Sequence, residues 1–135
     1  VREINTIILH CSATSNEDSS IDAATIKKWH LSQAWKDIGY HWVVLRSGVV
    51  EKGRLEATIG AHCLKYNTDS IGICLIGMDK FTPFQYSSLL NLLQRIMDDY
   101  SIGVDQVKGH YEFTNLKSCP NLDMTLVREW LYASV

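Results

Sequence analysis

Ser70-Ile71-Gly72-Ile73-Cys74-Leu75-Ile76-Gly77-Met78 is apolar almost throughout and shows no polar–apolar alternation. Gly72 and Gly77 leave room within it for close packing. Such a run reads as a strand buried on both faces, which belongs in a sheet covered by helices on each side. The elements read to either side of it supply that cover.

Upstream, Ile4 to Leu9 is a short β-branched and aliphatic run that ends at His10 and reads as a second buried strand. Cys11 to Ser20 is a polar loop. Asp22 is the N-cap of a helix expected to reach about Trp35, with Ile26, Trp29 and Gln33-Ala34 turned to the sheet. Gly39 breaks that pattern. Tyr40 to Leu45, the Ser47-Gly48 turn and Val49-Val50 then read as a β-hairpin. Alternation puts Tyr40, Trp42 and Val44 on one face of it and His41, Val43 and Leu45 on the other. Residues 53 to 69 lack a period and form a candidate wall for a groove.

Downstream, Thr82-Pro83-Phe84-Gln85 is a helix start, with a cap, a Pro at the first position and a reciprocal Gln. Tyr86, Leu89, Leu90, Leu93, Ile96, Met97 and Tyr100 continue it at helical spacing until Gly103. Val104 to Lys108 is a short strand leading into His110, and Asp123 caps a last helix with Leu126, Val127, Trp130 and Leu131 inward. The order β, α, β-hairpin, β, α, β, α defines one α/β domain, a central mixed β-sheet flanked by about three helices. It leaves the end of the first strand and the loop after the last one free to meet at one rim.

The bulk properties agree. A chain of 135 residues, 46% hydrophobic and 21% charged, is an ordinary globular domain. At that size folding buries roughly two thirds of the unfolded surface, enough for a core without staples. A net charge of −2 argues against binding a nucleic-acid backbone and gives no pull toward anionic lipid. No run approaches the roughly 18 apolar residues of a membrane span. The four cysteines, at 11, 63, 74 and 119, form no CxxC pair and read as reduced thiols. Cys11 and Cys74 lie in apolar runs and read as core. Only Cys119 stands in a loop with a basic neighbour, where a low thiol pKa is expected.

That loop, His110-Tyr111-Glu112-Phe113-Thr114-Asn115-Leu116-Lys117-Ser118-Cys119-Pro120, carries the chemistry. An imidazole, a thiolate and an ammonium in one short segment suit a soft metal with a charge beside it. Two ligands do not hold zinc, and His10 is the candidate third. The carboxyl end of a central strand is where open α/β sheets put their ligands, although a lone His there is more commonly a satisfied core residue. Tyr40, at the start of the hairpin, reads equally as an amphipathic surface residue or as a hydrogen-bond donor into a pocket.

His10-Cys11-Ser12-Ala13-Thr14, Trp29-His30, Gly39-Tyr40-His41, Glu51 to Arg54, Tyr66-Asn67, Ser70-Ile71-Gly72 and Lys117-Ser118-Cys119-Pro120 follow one another in a specific order. The set closely resembles the zinc-dependent N-acetylmuramoyl-L-alanine amidases, which share their fold with the peptidoglycan recognition proteins. Within that family it is most similar to the short single-domain phage enzymes, the endolysins, and the likeness runs from about residue 4 to 131. The resemblance implies three ligands, His10, His110 and Cys119, for one Zn2+ per chain, with a fourth position open. It also implies that Tyr40 and Lys117 are catalytic, and that His62 and Asn67 border the groove for glycan and stem peptide. One departure is an extra residue within Phe113 to Leu116, which a loop absorbs while Lys117 stays in register with the thiolate.

The implied reaction is hydrolysis of the amide between N-acetylmuramic acid and L-alanine in peptidoglycan. Zinc would lower the pKa of water toward about 7, and the metal, Lys117 and Tyr40 would steady the tetrahedral intermediate. No H-E-x-x-H motif supplies a general base. A non-catalytic wall-binding module and a metal-free Cys-His hydrolase with Cys119 as nucleophile are the competing readings. Retention of Cys119 favours the enzyme over the module. Residues 1–135 are expected to be a single catalytic domain, acting as a monomer on peptidoglycan, with neither nucleic acid nor stable membrane insertion involved. The opening residues carry no charged-then-apolar signal pattern, so synthesis is expected in the cytoplasm of a bacterial host, with action on the wall after release.

Overall fold

A computed structural model describes residues 2–134. Its first strand, β1 (Thr6–Cys11), runs past His10 and lies parallel to β4 (Ser70–Leu75) over its whole length, with His10 opposite Cys74. β4 is buried at every position, as its unbroken apolar sequence requires. Helix α1 (Ala23–Ser32) and the hairpin β2 (Trp42–Val44) and β3 (Val50–Lys52) come between them in the chain. After β4 come α2 (Pro83–Tyr100), a 3-10 turn at Val104–Gln106, β5 (Val107–Gly109), a second 3-10 turn at His110–Glu112 and α3 (Met124–Ala133). The strand order is β3-β2-β4-β1-β5, parallel except at the β2–β3 edge. This is the mixed, helix-flanked sheet expected from the sequence.

The two faces of the sheet are filled unequally. Ile7, Leu9, Val44, Ile71, Ile73 and Leu75 pack with Leu89, Leu93 and Ile96 of α2 and Val127 and Leu131 of α3 in the main core. The opposite face holds a smaller cluster of Ile21, Ile26, Ile38, Val43, Cys74 and Ile76 under α1. Alternation along β1 puts Ile7, Leu9 and Cys11 in the main core and turns His10 to the thinner side. There, space is left for polar groups at the carboxyl ends of the strands.

Local signals fix the long helix. Thr82 accepts the Gln85 backbone N–H at 3.1 Å while the Gln85 side chain accepts the Thr82 N–H at 3.0 Å, the reciprocal cap read from the sequence. Its far end closes on Ser101, in the left-handed conformation at φ 55°, two residues before Gly103. Other elements depart from expectation. α1 stops at Ser32 because Ala34 turns left-handed at φ 67°, and Trp29 stays 40% exposed instead of packing inward. Tyr40 precedes β2 and packs with Val43, not with Trp42 and Val44, because the backbone before Trp42 has left strand geometry to meet Gly53 and Arg54. In α3, Val127 and Leu131 are buried as expected, but Leu126 and Trp130 face outward. Among the described residues no helix is long and apolar enough to cross a membrane.

Candidate active site

β5 pairs with β1 so that Gly109 stands opposite Leu9, and His110, the next residue, comes level with His10. The two imidazoles meet through their Nδ1 atoms, 3.1 Å apart, with ring centroids at 4.5 Å. They lie 100 residues apart in sequence, and parallel pairing brings them together at the rim. Behind His10, its Nε2 is 2.9 Å from Nδ1 of His62. Burial, then the charges of His62 and His110, hold the His10 pKa well below its ordinary value. Burial likewise takes His62 down to about 3, with His41 and His110 adding to it. His110 is lowered by burial and then by the Lys117 ammonium. All three rings are therefore neutral at pH 7, the state in which imidazole binds metal.

Cys119 closes the same corner, since the Tyr111 N–H donates to its carbonyl at 2.8 Å across the loop. Its Sγ lies 3.0 Å from Sγ of Cys11. The Cys119 thiol is lowered to about 6, first by the hydrogen bond from Cys11 and further by Lys117, against the opposing effect of burial. Cys11 is pushed upward and remains a thiol. The expected low pKa of Cys119 is thus present, but its main cause is a second cysteine that the sequence reading placed in the core. Cys63 and Cys74 are buried and free.

The remaining candidates surround this group. The Tyr40 ring is 5.2 Å from the His10 ring. Burial, then the neighbouring Cys74, Cys119 and Cys11, raises the Tyr40 pKa far above 10, so it is a donor and not a base. Lys117 is exposed and lines a cleft of about 270 Å³ with His62, Cys63, Leu64, His110, Phe113, Thr114 and Leu116. Of the segment 53–69, His62, Cys63 and Leu64 line that cleft, and the Tyr66 ring meets Phe113 from the other side at 4.4 Å. Asn67 uses its Oδ1 to accept the backbone N–H groups of His62 and Cys63, both at 2.9 Å, and so shapes the wall from within.

Three supports escaped the sequence reading. The Glu112 carboxylate accepts the Gly109 N–H at 2.9 Å and pairs with Arg128 of α3 at 2.9 Å, which pins the turn that carries His110. Ser70 stands behind His62, and Gly72 lies directly under its ring. The adjacency His10-Cys11 was the available signal for the sulfur pair, and Ser70-Ile71-Gly72 for the support of His62.

The donor set can be tested against a metal. Two Zn–N bonds in tetrahedral geometry separate their nitrogens by about 3.3 Å, and the observed 3.1 Å is within a few tenths of that. Two neutral nitrogens and a thiolate of low pKa are the donors that a soft divalent ion takes. Among the described residues no three such side chains already surround a single point, because the sulfur of Cys119 is directed to Cys11. The chemistry of the set fits zinc, with the sulfur as the member that has another partner here.

A facing imidazole pair, one ring of which lines a cleft, and an ionisable thiol near it on a mixed α/β sheet form a set of groups that would suit a hydrolase. Residues 1–122 match the model of the N-acetylmuramoyl-L-alanine amidase family, and the chain belongs to that family. It is 40% identical over 126 residues to the endolysin of Escherichia phage T7, covering 87% of this chain and 81% of that one. Among solved structures it resembles the N-acetylmuramoyl-L-alanine amidase LysC from Clostridium intestinale URNW, with TM-score 0.83 and 26% identity over 98% of this chain and 85% of the other. It also resembles peptidoglycan recognition protein-LE in complex with tracheal cytotoxin, a monomeric diaminopimelic acid-type peptidoglycan, with TM-score 0.79 and 26% identity over 96% and 82% of the two chains.

Proposed function

We propose that this amidase cleaves the bond between N-acetylmuramic acid and L-alanine in peptidoglycan with one zinc ion held by His10, His110 and Cys119. The observation that carries the reading is the approach of the two Nδ1 atoms to 3.1 Å beside a thiol whose pKa is lowered to about 6. Zinc, when bound, supplies Lewis acidity and makes water a stronger acid. The chain's own residues do the rest. His10 and His110 are kept neutral by burial, so each imidazole has one lone-pair nitrogen to offer at neutral pH. Cys119 is ionised at the same pH and adds negative charge, which favours a dication.

Lys117 stands over the cleft and offers positive charge to the carbonyl oxygen as it turns anionic. Tyr40 keeps its proton at any physiological pH and can donate a hydrogen bond to that oxygen. Water adds across the C–N bond, its oxygen going to the lactyl carbonyl carbon and a proton to the amine of L-alanine. The apolar wall of Leu64, Phe113 and Leu116 suits the aliphatic parts of a stem peptide, and the rim beside His62 suits its polar ones. The likeness to a peptidoglycan recognition protein solved with a muropeptide supports the same class of ligand. In this reading residues 1–135 act as a monomeric catalytic domain, on the wall of a bacterium in whose cytoplasm the chain was made.

The test is elemental analysis of the purified chain together with mass spectrometry of digested sacculi. One zinc per chain is expected, with stem peptides released bearing a free L-alanine amine. A chelator should abolish this release and added zinc restore it. Activity that survives chelation but not thiol alkylation would replace the proposal with a Cys119 nucleophile. Binding to sacculi without release would replace it with a recognition module.

A further inference from the structure

We infer that His62, backed by Ser70 and seated on Gly72, is a positioning residue that decides which nitrogen of His10 carries a proton and which is presented to the metal. The consequence for zinc rests on the function proposed above; the proton arrangement does not.

A chain of hydrogen bonds runs from Tyr66 through Ser70 and His62 to His10. The Ser70 hydroxyl donates its single proton to the Tyr66 carbonyl at 2.6 Å. Toward Nε2 of His62, 3.3 Å away, Ser70 Oγ can therefore only accept. So His62 carries its proton on Nε2, and its Nδ1 is an acceptor, since a neutral imidazole has one of each. That Nδ1 is 2.9 Å from Nε2 of His10, and the proton between them belongs to His10. Nδ1 of His10 is left with a bare lone pair, and it is this atom that faces His110 at 3.1 Å. His10 is thus set as a donor before any cation arrives.

The ring of His62 has been given a fitted seat. A Cβ on Gly72 would lie 2.4 Å from His62 Cγ and 2.7 Å from its Nδ1, so only a glycine in β4 lets the ring approach. Gly60 borders the ring at its Cδ2, where a Cβ would come to 2.8 Å. Asn67 holds the His62 backbone N–H at 2.9 Å. Hydrogen-bond partners behind metal-binding histidines fix ring orientation and tautomer, and their loss typically costs 10–100-fold in metal affinity.

Two measurements on the full chain test this. Long-range proton–nitrogen NMR of the metal-free parent at neutral pH reads the tautomer directly; a proton on Nε2 and a bare Nδ1 are expected for His10. Competition with a chelating dye reads zinc affinity. His62→Ala is expected to weaken zinc about 10–100-fold and to mix the two His10 tautomers. His62→Asn, whose amide oxygen falls at the position of the imidazole Nδ1 and can accept the same bond, should recover most of the affinity, which a purely structural role would not predict. Ser70→Ala should likewise mix the tautomers of His62. A proton on Nδ1 of parental His10 overturns the inference, and so does a His62→Ala chain that holds zinc as tightly as the parent. Should His62→Ala fail to fold, the parental tautomer alone decides. A parent that takes up no zinc would remove the proposed function while the NMR result still judged this inference.

Discussion

Single residues divide into those that hold the metal in this proposal and those that act on substrate, and the two groups should fail differently. His10→Ala, His110→Ala and Cys119→Ala are expected to lose zinc and turnover together, with affinity falling by more than about a hundredfold as one of three ligands goes. Elemental analysis beside an activity assay checks this. Lys117→Ala and Tyr40→Phe should keep full zinc content while turnover falls on the order of a hundredfold, the usual cost of one donor to a developing oxyanion. A Lys117→Ala chain that digests sacculi at the parental rate would remove that residue from the mechanism. The types and order of these residues were legible in the sequence. What was not legible is the company they keep. Cys11 read as core, and it is buried, yet it is also the partner that lowers Cys119. His62 read as part of the groove; its ring does border the cleft, but its nitrogens are used on His10 and Ser70.

At the level of elements, the strongest local signal was the start of α2, and the structure gives it a second use. Gln85 is fully buried, and besides capping Thr82 its amide donates to the carbonyls of Val44 and Ile76, at 3.1 and 2.9 Å. The helix is thereby bonded to the carboxyl ends of β2 and β4. Thr82→Ala should cost about 1 kcal/mol, an ordinary N-cap loss. Gln85→Ala should cost more, about 2–4 kcal/mol, because buried carbonyls lose their donors as well. Urea denaturation distinguishes the two, and neither variant should alter zinc content, since both lie on the far side of the sheet from His10. Where element boundaries depart from the hydrophobic period, the cause is a feature that periodicity does not encode. Ala34 and Ser101 adopt left-handed backbone although neither is glycine, so α1 ends short of Trp35 and α2 short of Gly103. Trp29 and Leu126 stand at helical spacing but remain on the surface, and Trp130, although it meets the ring of Tyr86 edge-on at 5.7 Å, stays partly exposed.

For the molecule as a whole, one carboxylate ties distant parts together. Glu56 accepts from Trp42 Nε1 and Tyr100 Oη, both at 2.7 Å, and from Arg95 at 3.2 Å, while its backbone carbonyl takes the Arg2 guanidinium at 2.9 Å. Burial raises its pKa, but the bonds from Tyr100, Arg95 and Trp42 outweigh burial and hold it below the ordinary carboxylate value. A pKa depressed by folding contributes stability that is present above the unfolded value, near about 4.3, and is lost as pH falls through the folded one. The parent should therefore weaken below about pH 4.3, and Glu56→Gln should remove part of that acid dependence while costing about 1–3 kcal/mol at pH 7. Urea midpoints of both chains between pH 3 and 7 check the prediction. The sequence by itself determined the fold class, the long helix and its cap and the buried strand, because hydrophobic period and capping chemistry are local properties, while the candidate ligands came from the ordered motifs that resemble the amidase family. Only the tertiary structure decided that Nδ1 of His10 meets Nδ1 of His110, that Cys11 faces Cys119 and that Ser70 and His62 stand behind His10. Those relations span 8 to 108 residues. They depend on strand register and on which face a side chain leaves by, and no local pattern carries that information.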